Sequence, residues 1–136
     1  MSREEERYEQ TYFIDDLETP ESYKEKAGIF AELWLWVEKN IYKTNVLKGW
    51  TTLERRDGEL IALIHSEVSE ALEALRKGNP MSKKVPEITH AEEELADAII
   101  RIMDMAFNKK WNMPRAIFLK MEYNKTRSYR HGGKQF

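Results

Sequence analysis

Leu63-Ile64-His65-Ser66-Glu67-Val68-Ser69-Glu70-Ala71-Leu72-Glu73-Ala74-Leu75-Arg76 is the stretch that decides how this chain folds. Its apolar residues recur at intervals of three and four, the period of an amphipathic helix, and no part of the chain sustains the period-two alternation of a strand. Glu67 and Glu70 stand three residues apart within it, which puts them on one helix face. A second stretch, Glu93-Glu94-Leu95-Ala96-Asp97-Ala98-Ile99-Ile100-Arg101, repeats the arrangement with Glu94 and Asp97. At about 100° per residue, Leu60, Ile64, Val68, Ala71 and Leu75 make the apolar stripe of the first helix. Leu95, Ala98, Ile102, Met105 and Ala106 make that of the second. The four acids flank these stripes instead of facing water. Arg101 and Asp104 continue the edge that carries Glu94 and Asp97. Glu73 falls on the solvated face, and Glu92 and Glu93 read as surface charge in a first turn, where acids suit the helix dipole.

Working outward, Asp57-Gly58 opens the first of these helices and Gly78-Asn79-Pro80 stops it after Lys77. Thr89-His90-Ala91-Glu92 is a capping-box pattern that opens the second, which runs to about Lys109. Trp111-Asn112-Met113-Pro114 breaks that helix and starts another, to about Arg127. Upstream, Thr19-Pro20 reads as the N-cap and first position of a helix to about Asn40. Residues 42–56 read as a loop centred on Gly49-Trp50-Thr51-Thr52. The expected fold is all-α, a helical bundle of four main helices over residues 19–127. Residues 1–18 form an N-terminal arm and 128–136 a polar C-terminal tail.

A chain of 136 residues suits one domain. The formal net charge of -2 gives no global basic footprint for a nucleic-acid polymer. There is no cysteine, which excludes disulfides and thiolate metal sites and makes a reducing compartment the natural default. No apolar run approaches the roughly 18–20 residues of a membrane span, and the acidic N-terminus has no signal-peptide core. The expectation is a cytoplasmic protein that does not associate with membranes.

Two acid pairs on core-flanking edges of consecutive helices would repel and lose stability without a counter-ion. Carboxylates without cysteine favour Mg²⁺, with Mn²⁺ as a substitute, over Zn²⁺. A di-iron site would want Glu-x-x-His on two helices. His65 has Ala62 three residues before it, and the Glu87/His90 pair begins in the loop ahead of the Thr89 cap. A surface or structural role is expected for each histidine. On the last helix, Lys120, Asn124 and Arg127 fall at i, i+4 and i+7, one face of a kind that suits phosphate oxygens. Taken alone, that face is an ordinary basic helix end. Beside clustered acids it describes a metal–polyphosphate site. Trp50, in a Lys-Gly-Trp loop, is a candidate to stack on a base, with plain packing as the alternative. A different reading of the whole chain keeps the acids as a solvated rim and makes the bundle a non-catalytic dimerisation or partner-binding module.

The two acidic stretches quoted above, followed by Lys120-Met121-Glu122-Tyr123-Asn124-Lys125-Thr126-Arg127, resemble the MazG-like all-α nucleoside triphosphate pyrophosphohydrolases. The likeness covers roughly residues 48–134. It departs from the family pattern at Arg127-Ser128-Tyr129, where a proline would follow the arginine. The resemblance implies hydrolysis of a nucleoside or deoxynucleoside triphosphate between the α and β phosphates, giving the monophosphate and pyrophosphate. It implies Mg²⁺ held by Glu67, Glu70, Glu94 and Asp97, which would also be the catalytic residues. Lys120, Asn124 and Arg127 would then hold phosphates, and Arg101 and Asp104 would brace the acids. It also implies a homodimer or homotetramer serving nucleotide-pool cleaning or balancing.

Overall fold

A computed structural model describes residues 20–52 and 54–128. The expected arm, the Thr19 cap and the tail from Tyr129 onward lie outside the described residues. Among those described there are four α-helices: α1 (Pro20–Leu47), α2 (Asp57–Arg76), α3 (His90–Lys109) and α4 (Met113–Lys125). A short 3₁₀ turn at Trp50–Thr52 precedes α2. The one β-bridge among the described residues pairs Met81 with Thr89 across the α2–α3 loop. The protein is all-α.

The ends of the central helices follow the expected capping chemistry. After α2, the Asn79 N–H donates to the Ala74 carbonyl and the Gly78 N–H to that of Leu75. This is a Schellman closure, and Gly78 supplies the φ of +85° that it needs. At the start of α3, the Thr89 N–H donates to Glu92 Oε2 at 2.7 Å while the Glu92 N–H donates to Thr89 Oγ1 at 3.3 Å, a reciprocal capping box. α3 ends on Lys110, a left-handed residue at φ 58°.

One boundary differs from expectation. α1 continues through residues 41–47, where a loop was predicted from Tyr42. Tertiary contacts account for the extra turns. Tyr42 packs on Phe107 with ring centroids 5.0 Å apart, and Asn45 Nδ2 donates to Asp104 Oδ1 at 2.9 Å. No helix breaker intervenes before Gly49, whose φ is +76°.

The described residues divide into two compact units, one holding residues 20–34 and 114–128, the other Leu35–Met113. In the first, Phe118 of α4 meets Tyr23 and Phe30 of α1 edge-on at 5.5 and 5.6 Å, and Phe30 is tilted against a half-buried Trp34. In the second, α2 and α3 run antiparallel face to face, closed at one end by Lys109 Nζ on Asp57 Oδ1 at 2.6 Å.

The seam between α2 and α3 corrects the predicted stripes. Leu60, Ile64, Glu67, Ala71 and Ala74 turn inward, buried or half-buried, whereas Val68 and Leu75 are 48% and 57% exposed. On α3 the inward line is Ala91, Glu94, Ala98, Arg101 and Met105, and Leu95 is exposed. Both lines follow the i, i+3/i+4, i+7 spacing, rotated relative to the stripes that hydrophobicity alone selects. Alanines on both helices let them approach closely, and Glu67 and Glu94 lie within the seam instead of at its edge. Glu94, 2% exposed, is the largest side chain buried so completely among the described residues.

Candidate metal centre

Glu67 and Glu70 of α2 and Glu94 of α3 each direct one carboxylate oxygen to a common point, with all three atoms within 4.8 Å of one another. Glu67 and Glu94 are buried and Glu70 is exposed, so the cluster opens to solvent on one side. The backbone explains the convergence. Residues 67 and 70 share a face of α2, and α3 packs antiparallel with Glu94 in its inward line. Two ionised carboxylates at that spacing repel by roughly 3–4 kcal/mol at an effective dielectric of about 20. That repulsion and burial both favour the neutral form of a carboxyl in the cluster. Burial pushes Glu94 up from the ordinary 4.5, helped by a hydrogen bond with Glu67 and the charge of Glu70 and opposed by His90. Asp97 is also raised, through burial first and the charge of Glu67 second. Asp97 is half-buried and stands outside the converging three, one helical turn further along α3.

Two side chains partner these acids. Arg101 Nε donates to Glu67 Oε1 at 2.6 Å. His90 Nε2 lies 2.9 Å from Glu94 Oε1. Arg101, expected to brace the acids from its place four residues after Asp97, makes its hydrogen bond across the seam to Glu67. Asp104 accepts from Asn45 and is not one of the converging three.

The charge at Glu93 is not a surface charge, contrary to the sequence reading. It is buried, accepts a short hydrogen bond from Ser82 Oγ through Oε2, and pairs with Lys84 Nζ through Oε1 at 3.0 Å. These partners hold its carboxyl below the usual range, the Ser82 hydroxyl contributing most and Lys84 next. Ser82 Oγ also accepts from the N–H groups of Lys84 and Val85, so Glu93 ties the α2–α3 loop to α3. The helix wheel shows which face Glu93 occupies, but not that a loop folds back over it. His90 has a structural partner, in keeping with the expected role, in Glu94. The signal was present in its i, i+4 spacing to Glu94.

Among the described residues, two groups of side chains could hold a metal ion: Glu67, Glu70 and Glu94, or His90, Glu93 and Glu94. Both oxygens of Glu93 are engaged, by Ser82 and Lys84, which leaves the all-carboxylate group as the better site. Its donor set, oxygen only and open to water at Glu70, fits a hard divalent cation.

Beside the acids, Asn45, Trp50, Arg55, Leu63, Asp97, Ile100, Arg101 and Asp104 line a cleft of about 420 Å³. Arg55 lies over the Trp50 ring, 5.9 Å from its centroid. The structure thus brings Trp50 to the same cleft as Asp97 and Arg101. Asn45 and Arg55 were not singled out in the sequence. Lys120, Asn124 and Arg127 belong to the other compact unit and are exposed; Lys120 Nζ sits 4.6 Å over the Tyr123 ring.

Comparisons of the chain with protein-family models, curated proteins and solved structures gave no match. No helix of the described residues is long and apolar enough to cross a membrane.

Proposed function

We propose that this protein is a Mg²⁺-dependent pyrophosphohydrolase of nucleoside or deoxynucleoside triphosphates, MazG-like in fold and cytoplasmic, cleaving between the α and β phosphates to give the monophosphate and pyrophosphate. The observation that carries this is the convergence of Glu67, Glu70 and Glu94 within 4.8 Å, with buried acids in a helix seam where apolar residues would be more stable. A divalent cation there would supply Lewis acidity toward a phosphoryl oxygen and lower the pKa of a bound water. Glu67, Glu94 and Asp97 fix the charge that attracts it. Glu70, the exposed member, accepts the proton of the attacking water. Trp50 stacks on the base in the neighbouring cleft.

Assembly as a homodimer or homotetramer is part of the proposal. Ile61, Val68, Leu72 and Leu75 form an exposed aliphatic line along α2, and Leu95 and Ile99 are exposed on α3. Such a surface suits a second copy.

The test is pyrophosphate release from a panel of nucleoside and deoxynucleoside triphosphates with Mg²⁺. Release that Glu67→Ala and Asp97→Ala abolish is the expected result. No release from any substrate, or rates untouched by both substitutions, would return the protein to a non-catalytic helical module.

A further inference from the structure

The acidic centre already contains a cation of its own. Arg101 Nε donates to Glu67 Oε1 at 2.6 Å, and Glu67 supplies one of the three converging carboxylates. A guanidinium stays charged at any accessible pH. It therefore cannot give way to a metal by losing a proton; it has to move. The neighbouring cleft offers the place for it to move to. Arg101 lines the cleft that holds Trp50 and Arg55, and its side chain is 37% exposed. Its hydrogen bond to Glu67 is made through Nε. Guanidinium forks match phosphate oxygens, and the aromatic ring beside them suits a planar base. Asp97 and Asp104 also line the cleft, and Asp104 is held by Asn45 at 2.9 Å.

Resting on the reading of the acids as a metal centre, we propose that Arg101 is the metal-free counter-ion of Glu67, and that a divalent cation releases it to bind the anionic substrate in the cleft. Metal and nucleotide then reinforce each other's binding. The arrangement also keeps the buried acids compensated while the site waits for metal. Arg101 is on this account a switching residue: one partner before metal, another after.

The direct test follows the Arg101 Nε–H in the full-length protein by nitrogen-edited NMR, the signal being assigned by its loss in Arg101→Lys. On titration with Mg²⁺ alone it is expected to move toward the free-arginine position and to exchange faster with water. Calorimetry gives a second measurement. Arg101→Gln is expected to bind Mg²⁺ about fivefold more tightly than wild type, or better. With saturating Mg²⁺ it should bind a non-hydrolysable α,β-methylene nucleoside triphosphate about fivefold more weakly, the low end of coupling between sites. A merely structural arginine would weaken both. Arg101→Lys retains the charge without the fork and should keep near-wild-type Mg²⁺ affinity while losing nucleotide affinity. An Nε–H signal unmoved at saturating Mg²⁺, or unchanged Mg²⁺ affinity in Arg101→Gln, overturns the switch and leaves the metal centre standing. Wild-type protein that binds no Mg²⁺ overturns both. Should Arg101→Gln fail to fold, the wild-type NMR titration decides alone.

Discussion

Glu93 and Glu94 are neighbours on α3 and both are buried, yet their surroundings pull them in opposite directions. Glu93 meets a hydroxyl and an ammonium, and its carboxyl is held low. Glu94 meets apolar seam, a histidine and two further carboxylates, and its carboxyl is held high. One acid is satisfied by its own chain and fastens a loop. The other is left with more negative charge than its surroundings neutralise. Burial alone therefore says nothing about function; what faces the buried group does.

The sharpest way to break that contrast is to remove one acid from each side. Glu94→Ala should cost several kcal/mol of charge stabilisation at the phosphoryl group, on the order of a hundredfold or more in pyrophosphate release. It should also abolish thermal stabilisation by Mg²⁺, which for ligand at about 100 times Kd is roughly 2.7 kcal/mol in the parent. Glu93→Ala should do the reverse: lower the melting temperature without metal and keep the Mg²⁺ gain. A Mg²⁺ gain that survives Glu94→Ala would mean the ion binds elsewhere.

The seam itself supplies the next test. Ala74 faces α3 and is almost fully buried, while Leu75 is exposed. Ala74→Leu overfills the close approach and should destabilise by about 1–3 kcal/mol in chemical unfolding. Leu75→Ala should change monomer stability by no more than about 0.5 kcal/mol. If Leu75→Ala instead shifts the sedimentation profile toward smaller species, the outer line of α2 is the subunit interface.

Titration separates the two glutamates again. Glu94 binds a proton more tightly folded than unfolded, so its contribution is present at low pH and is lost as pH rises from 4.5 through its folded value. Glu93 has the opposite sign. Its contribution is present above 4.5 and is lost as pH falls through its lowered folded value. Melting curves between about pH 3 and pH 8 should show Glu94→Gln flattening the alkaline side and Glu93→Gln the acid side. Mg²⁺ should flatten the alkaline side of wild type. At the cleft, Trp50→Ala should raise KM about 5- to 150-fold, about 1–3 kcal/mol of stacking, with kcat nearly unchanged.

Much of the helical organisation was legible because local chemistry dictates it. Gly78 at the left-handed position and the Thr89/Glu92 box mark helix ends wherever they occur, and both do so here. The end of α1 was not legible, because the contacts of Tyr42 and Asn45 come from α3, roughly sixty residues away. For the candidate site, spacing alone pairs Glu67 with Glu70 and sets Glu94 on the facing helix. It misassigned Glu93 because the partners of that residue, Ser82 and Lys84, lie on a loop whose path no periodicity encodes.

By itself the sequence determined that this is an all-α chain with two acid pairs on consecutive helices, since i, i+3 spacing and capping act within a few residues. Only the tertiary structure decided that α2 and α3 meet through alanines. That rotation turns Glu67 and Glu94 into the seam, leaves Val68 and Leu75 outside, and carries Arg101 across to Glu67. Hydrophobicity ranks residues by how much each gains from burial. Which of them are in fact buried depends on the facing helix, and here close approach favoured small side chains over large ones.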